Sequence, residues 1–178
     1  MYGAHLIKCG LSPLLVDLIK RGFVTALATN GAGIIHDFEI AYCGKTSEDV
    51  AANIKKGMFG MSSQTGAFVN KAACYAYDHG LGYGESMGKM SAAKKRRPRD
   101  VSPCYWGQKK KIPFCVFVGM GTDIVHQHPD ACGASIGYAS LKDFHIFKDS
   151  VARLEGGVVI NFGSAVILPE VFIKALNL

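Results

Sequence analysis

The stretch GTDIVHQHPDAC, residues 121–132, gathers Asp123, His126, His128, Asp130 and Cys132 within ten positions. Carboxylate, imidazole and thiolate are the ligands zinc prefers, and a site needs three or four of them converging on one point. His126 and His128 are two apart, so on an extended segment they point the same way and could share a metal with Asp123. Cys132 reaches that point only through a tight turn at Pro129-Asp130. No second His/Cys cluster completes the set. On this reading Asp123, His126 and His128 would serve a metal-dependent hydrolase. A different chemistry follows from the preceding KKIPFCVFVGMG, which reads as a buried strand. Asp123 then stands at the tip of that strand, where a carboxylate in a low-dielectric cleft pairs with a cationic ligand more strongly than it would in water. The second reading is preferred, and no metal is expected.

Two glycine turns point to the same kind of cleft. In ATNGAGIIHDFE, residues 28–39, Gly31 and Gly33 allow close approach of a ligand to the backbone. The helix that follows offers free N–H groups to an anion such as a pyrophosphate. The spacing is G-x-G without the third glycine of the dinucleotide fingerprint, because His36 stands there. Gly31 and Gly33 are therefore candidate ligand contacts, and a ligand-free turn explains them equally well. NFGSAVILPE, residues 161–170, offers Gly163-Ser164 in a similar position, with the same alternative. His126 and His36 are candidate general bases, since imidazole titrates near neutrality.

Strands and helices must hold these loops. Ser12-Pro13 reads as an N-cap with Pro at the first helical position, and LLVDLIKR runs to a stop at Gly22. FVTALAT (23–29), IPFCVFVG (112–119) and VVINFG (158–163) are apolar runs of buried-strand type. Helices are expected over 34–43, from Thr46 to about Gly57, through SSQTGAFVNKAACYAYDHG to Gly80, and from Pro169. Ser140 and Asp143 frame the start of a further helix that Gly156-Gly157 stop. Segment 81–111 shows only a helix start near Glu85 and a short helix after Ser102-Pro103. Alternating strands and helices predict an α/β fold with a mainly parallel sheet, in which ligands gather at the carboxyl ends of the strands.

Composition narrows the class. The chain has 178 residues, 49% of them apolar, with 21 Gly and 6 Pro, as expected for a single compact domain. Its formal charge is +6, yet eight of the 20 basic residues lie in KKRRPR (94–99) and KKK (109–111), leaving 12 against 14 acidic residues. Segment 90–111 is read as a basic surface loop, and nucleic acid is not expected as a partner because no stacking platform accompanies it. The six cysteines form no CxxC pair and read as reduced thiols of a cytoplasmic protein. No apolar run approaches the ~20 residues of a membrane span, and no secretory signal is visible.

Three segments together resemble the deoxyhypusine synthase family, most closely its bacterial branch. They are GAHLIKCGLSPLLVDLIKRGFVTALATNGAGIIHDFE, IPFCVFVGMGTDIVHQHP and VARLEGGVVINFGSAVILPEVFIKAL, in order and register over most of 3–178. The resemblance implies a Rossmann-like three-layer α/β/α fold, a homotetramer and an NAD cofactor. It also implies oxidation of a polyamine, spermidine, with transfer of its aminobutyl group to a protein lysine. Carried over by position, Thr29, Asn30, Gly31, Ala32, Gly33, Gly163 and Ser164 would contact NAD, and Asp123 would bind the amine. His5 and Lys8 fall on the first NAD-contacting loop, where the family usually has Ser or Asn.

The departures from the family are specific. Its acidic pair after the glycine turn is Ile35-His36 here, and its polyamine-site histidine is replaced by Leu168-Pro169. Its imine-forming lysine lies in a W-G-K segment that this chain does not contain. The sequence is therefore read as one NAD-binding domain over 1–178, incomplete at both ends. Its activity is expected to be that of an NAD-dependent transferase or oxidoreductase on an amine. A non-catalytic, oligomerising remnant is the bland alternative.

Overall fold

A computed structural model describes residues 1–46, 49–58, 62–94 and 100–178. In chain order the elements are α1 (Ala4–Lys8), α2 (Ser12–Lys20), β1 (Leu27–Asn30), α3 (Gly31–Cys43), α4 (Val50–Ile54) and α5 (Ser63–His79). They continue with α6 (Tyr83–Ala92), α7 (Pro103–Lys110), β2 (Phe114–Phe117), a 3-10 turn at Ile124–Gln127, α8 (Gly133–Val151) and α9 (Ile167–Leu176). The chain is thus mixed α/β and mostly helical.

β1 and β2 pair in parallel, Leu27 opposite Phe114 and Asn30 opposite Phe117. The two strands are shorter than their apolar runs. Leu27 donates to the carbonyl of Pro113, and Pro113 has no N–H to extend the ladder backwards. Phe23, counted as the first residue of a strand from sequence, is 66% exposed. The third strand expected over 158–163 does not form. Only isolated parallel bridges occur there, Tyr2 pairing with Thr29 on one side and Phe162 on the other. A partner segment as short as Met1–Gly3 cannot sustain a longer ladder. Across the molecule the order is 160–162, 1–3, β1, β2.

Side chains alternate across this small sheet into two cores. Leu27, Phe114 and Val116 join α2, α3, α5 and α6 through Ile19, Ile34, Val69 and Met87. Ala28, Cys115 and Phe117 face the other way, onto Phe147, Val151 and Leu168 of α8 and α9. Helices therefore cover the sheet on both faces.

The caps follow local rules where the sequence is explicit. Asn30 Oδ1 accepts the Gly33 N–H at 2.9 Å, so α3 begins at Gly31, three residues before its apolar run. Gly44 and Gly80 close α3 and α5 in the left-handed conformation. Ser102 caps α7 with Pro103 behind it, so half of the segment read as a basic loop is helix. Residues 95–99 of its basic run lie outside the described residues. Lys94 is held by aromatic rings, its Nζ 4.6 Å from the ring centre of Phe68 and 5.2 Å from that of Phe38.

Ser12 is not the cap of α2: the helix starts from Leu11 with no side-chain bond, and Ser12 lies inside it. α1 and α8 also depart from expectation. α1 carries no sequence signal beyond five residues of helical type. α8 begins at Gly133, so Ser140 and Asp143 are interior residues and not its cap. Both point into the protein. Val116 and Gly84 donate backbone N–H groups to Asp143 Oδ2 at 2.7 and 2.9 Å. Ser140 Oγ accepts from Val118 N and donates to the Val116 carbonyl, both at 3.2 Å. A helix thus supplies the hydrogen bonds that a further strand would have made along the outer edge of β2. Burial pushes the Asp143 carboxyl up to about 8, against the N–H donors of Gly84, Val116 and Tyr83 that pull it down.

Candidate functional site

The loops picked out by sequence lie side by side at the carboxyl ends of the parallel segments. Thr29 Oγ1 donates to the Tyr2 carbonyl at 2.7 Å, and Gly3 N donates to the Phe162 carbonyl at 2.9 Å. These bonds set the turn after Tyr2 between the turn after Phe162 and the turn after β1. A Cβ at Gly3 would stand 2.0 Å from the Gly163 carbonyl oxygen, so only glycine fits. Gly163 turns with φ 71°, with the β-carbon of His5 beside it. On the far side the Asp123 carboxylate lies against Gly31, where a Cβ would meet Oδ2 at 1.9 Å. His5, Thr29, Asn30, Gly31, Ala32, Gly33, Asp123, Gly163 and Ser164 therefore form one continuous rim.

Their environments differ. Thr29 is fully buried, and its hydroxyl is spent on the Tyr2 carbonyl. The close packing of Gly33 on Thr29 Oγ1 and Asn30 Oδ1 gives that glycine an internal role. His5 and Gly163 are exposed, and Asn30, Ala32 and Ser164 are half-buried. Lys8 is exposed at the end of α1, one turn beyond His5. Burial raises the Asp123 carboxyl above the usual range, partly offset by the nearby His126. The carboxylate also sits where the partial positive charge of α3 begins.

The two histidines of the opening stretch part company. The segment is a 3-10 turn and not extended, so residues two apart diverge. His126 Nδ1 accepts the N–H groups of Gly121 at 3.1 Å and Asp123 at 3.3 Å, while Asp123 caps the same turn. An imidazole accepting on Nδ1 carries its proton on Nε2 and has no lone pair left for a substrate proton. His126 thus locks the turn. His128 packs on Gly66, where a Cβ would meet its ring at 2.6 Å. Among the described residues no group of three or more His, Cys, Asp and Glu side chains is placed to hold a metal ion.

His36 is set differently. Its Nδ1 lies 3.2 Å from Glu39 Oε2, and Glu39 is buried with a side-chain exposure of only 3%. Thr65 donates to the other carboxylate oxygen at 3.2 Å, and Ser62 bonds Thr65 in turn. A buried carboxylate that orients an imidazole 19% exposed is an arrangement a general base can use. Thr65 and Gly66 are neighbours, so this pair and His128 flank the first turn of α5. Glu39 and Thr65 were not singled out from sequence. The helical reading of 34–43 did carry a signal for Glu39, because residues three apart share a helix face. Thr65 had none, since it comes from another helix.

Other buried polar groups lie behind the rim. Asp37 accepts from Cys104 N at 2.8 Å, and burial pushes its carboxyl up to about 7. Asn70 donates to the Val125 carbonyl and to Asp130, both at 3.0 Å, which anchors the 3-10 turn to α5. Taken together, fold and rim define an α/β protein with a parallel two-stranded sheet and a polar, glycine-lined rim at its carboxyl end. No protein-family model matches the sequence, and no curated protein matches it as a relative. Among the described residues no helix is long and apolar enough to cross a membrane.

Proposed function

We propose that this chain is a deoxyhypusine-synthase-like domain that binds a polyamine through Asp123 and NAD along the adjoining turns, within a Rossmann-like fold. The observation that carries the reading is the abutment of Gly3–His5, Asn30–Gly33, Gly163-Ser164 and Asp123 at one end of parallel segments. Helices on both faces of the sheet agree with the three-layer architecture.

The fit to NAD is uneven. The exposed backbone of Gly163 and the half-buried Ser164, beside His5, suit a nucleotide that contacts main chain. At the start of α3 the position favoured by an anion already has Asp123 beside it and Asn30 as its cap. That half suits a cation, whether an ammonium or the positive nicotinamide ring. Bound NAD would supply a hydride acceptor. The chain's own part is to pair the ammonium with Asp123, shield that half-buried carboxylate from water and take a proton at His36 Nε2, with Glu39 holding Nδ1. Of the two candidate bases, His36 is the one proposed. A lysine acceptor protein, a homotetramer and a cytoplasmic location belong to the same proposal.

Calorimetry with spermidine and with NAD tests it. Wild type should bind both, and Asp123→Asn should weaken spermidine about tenfold or more while NAD affinity holds, since a charge-assisted hydrogen bond is lost. Spermidine binding indifferent to Asp123→Asn, or no binding of either ligand by folded protein, would sink the proposal.

A further inference from the structure

At the opposite, amino end of the sheet a cavity of about 460 Å³ opens between α2 and the end of α8. Its floor is the strand-entry segments 1–2, 24–28 and 158–162, and its walls include Leu14, Leu18, Phe23, Val151, Leu154 and Ile160. The apolar side chains are held open to solvent: Leu14 is 65%, Phe23 66% and Ile160 66% exposed. A contiguous patch of this kind marks a binding surface more often than chance exposure. The volume falls within the roughly 300–1,000 Å³ of small-molecule sites.

Charge selects the occupant. The charged groups lining the groove are the Arg153 side chain and the Met1 ammonium, which donates to the Ile160 carbonyl at 2.7 Å, and no acidic residue lines it. Arg153 is exposed at the rim and enters no ion pair among the described residues, whereas Arg21 nearby is committed to Asp17. A fork of guanidinium donors beside an apolar trough that holds no acidic group is complementary to an anionic head on an apolar tail. The geometry points to a site for a single-chain carboxylate amphiphile, its alkyl chain along the trough and its carboxylate on Arg153. The site lies away from the polar rim and stands independently of the amine-binding proposal. The planar bidentate fit favours carboxylate over a neutral lipid. An added apolar strand or a second copy of the chain would leave Arg153 without a partner.

Calorimetric titration of the full chain with octanoate, decanoate and dodecanoate, and with decanol, tests the site. Affinity should rise about tenfold for each two methylenes added, as expected when each one leaves water. Arg153→Gln should weaken decanoate about tenfold and leave decanol unchanged. Leu14→Asp, at a position exposed enough to spare the fold, should abolish binding of both, with circular dichroism and thermal midpoint retained. Equal responses of decanoate and decanol to Arg153→Gln, or no dependence on chain length, overturn the proposal. So does a sedimentation-detected dimer that excludes dodecanoate from the groove.

Discussion

The two edges of the sheet are finished in opposite ways. Along β2 the helix α8 lays Asp143 and Ser140 against the outer backbone groups, and Val116 N, Val116 O and Val118 N all find partners. At the other edge Phe162 bonds inward to Met1 and Gly3, while the outward backbone groups of Val159 and Asn161 have no backbone partner among the described residues. No charge, Pro or bulge guards this edge from Gly156 to Leu168. A buried carboxylate can close a sheet as a strand does, but it ties that closure to a proton. An apolar edge without gatekeepers stays available to ligand or neighbour.

Removing the seal should have the largest effect. Asp143→Ala leaves the N–H groups of Val116 and Gly84 buried and unpaired, each worth about 1–3 kcal/mol. The denaturation midpoint should fall by several kcal/mol of stability, or the protein should fail to fold. Because that outcome is severe, Asp143→Asn is the sharper probe. Its carbonyl can still accept both N–H groups, and its amide replaces a protonated oxygen.

The second expectation concerns pH. The Asp143 carboxyl is raised to about 8 and that of Asp37 to about 7, both by burial. The folded chain then holds protons that the unfolded chain releases above the ordinary carboxylate range. The stabilisation is complete below about pH 4 and is lost as pH rises through 7 and 8. Chemical denaturation at pH 5.5 and 8.5 should show wild type less stable at the higher value, with a smaller difference in Asp143→Asn. An identical pH dependence in the two proteins would show that the sealed edge is not proton-linked.

The smallest effect belongs to the open edge. Val158 is 83% exposed, so Val158→Lys should change stability by less than about 0.5 kcal/mol. Decanol binding in the groove should nevertheless weaken several-fold, because Val158 lines it and an ammonium there is a poor match for an alkyl chain. If decanol affinity is unchanged, Val158 takes no part in the site.

Local grammar was readable in the residues themselves. Gly44, Gly80 and Ser102-Pro103 act as caps where their types predict, and all of β2 and all of β1 but Asn30 fall inside the expected apolar runs. The third strand was not readable, because Val158–Gly163 has strand composition but lacks a partner long enough to pair with. Ser140 and Asp143 were misread as a helix start for a related reason. Their side chains serve backbone groups 22 to 59 residues away, and no local pattern distinguishes that from a cap. His126 and His128 were paired by an alternation that holds only for extended chain.

The sequence alone determined what is local: helix ends set by contacts within four residues, strands marked by apolar runs, and Asp123 placed just past a strand. Tertiary structure decided which turns share a rim, which histidine is held by a buried carboxylate and which sheet edge is sealed. Those outcomes depend on closures such as Met1 to Ile160, across 159 residues. Chain-closure geometry of that length is not written in any one segment.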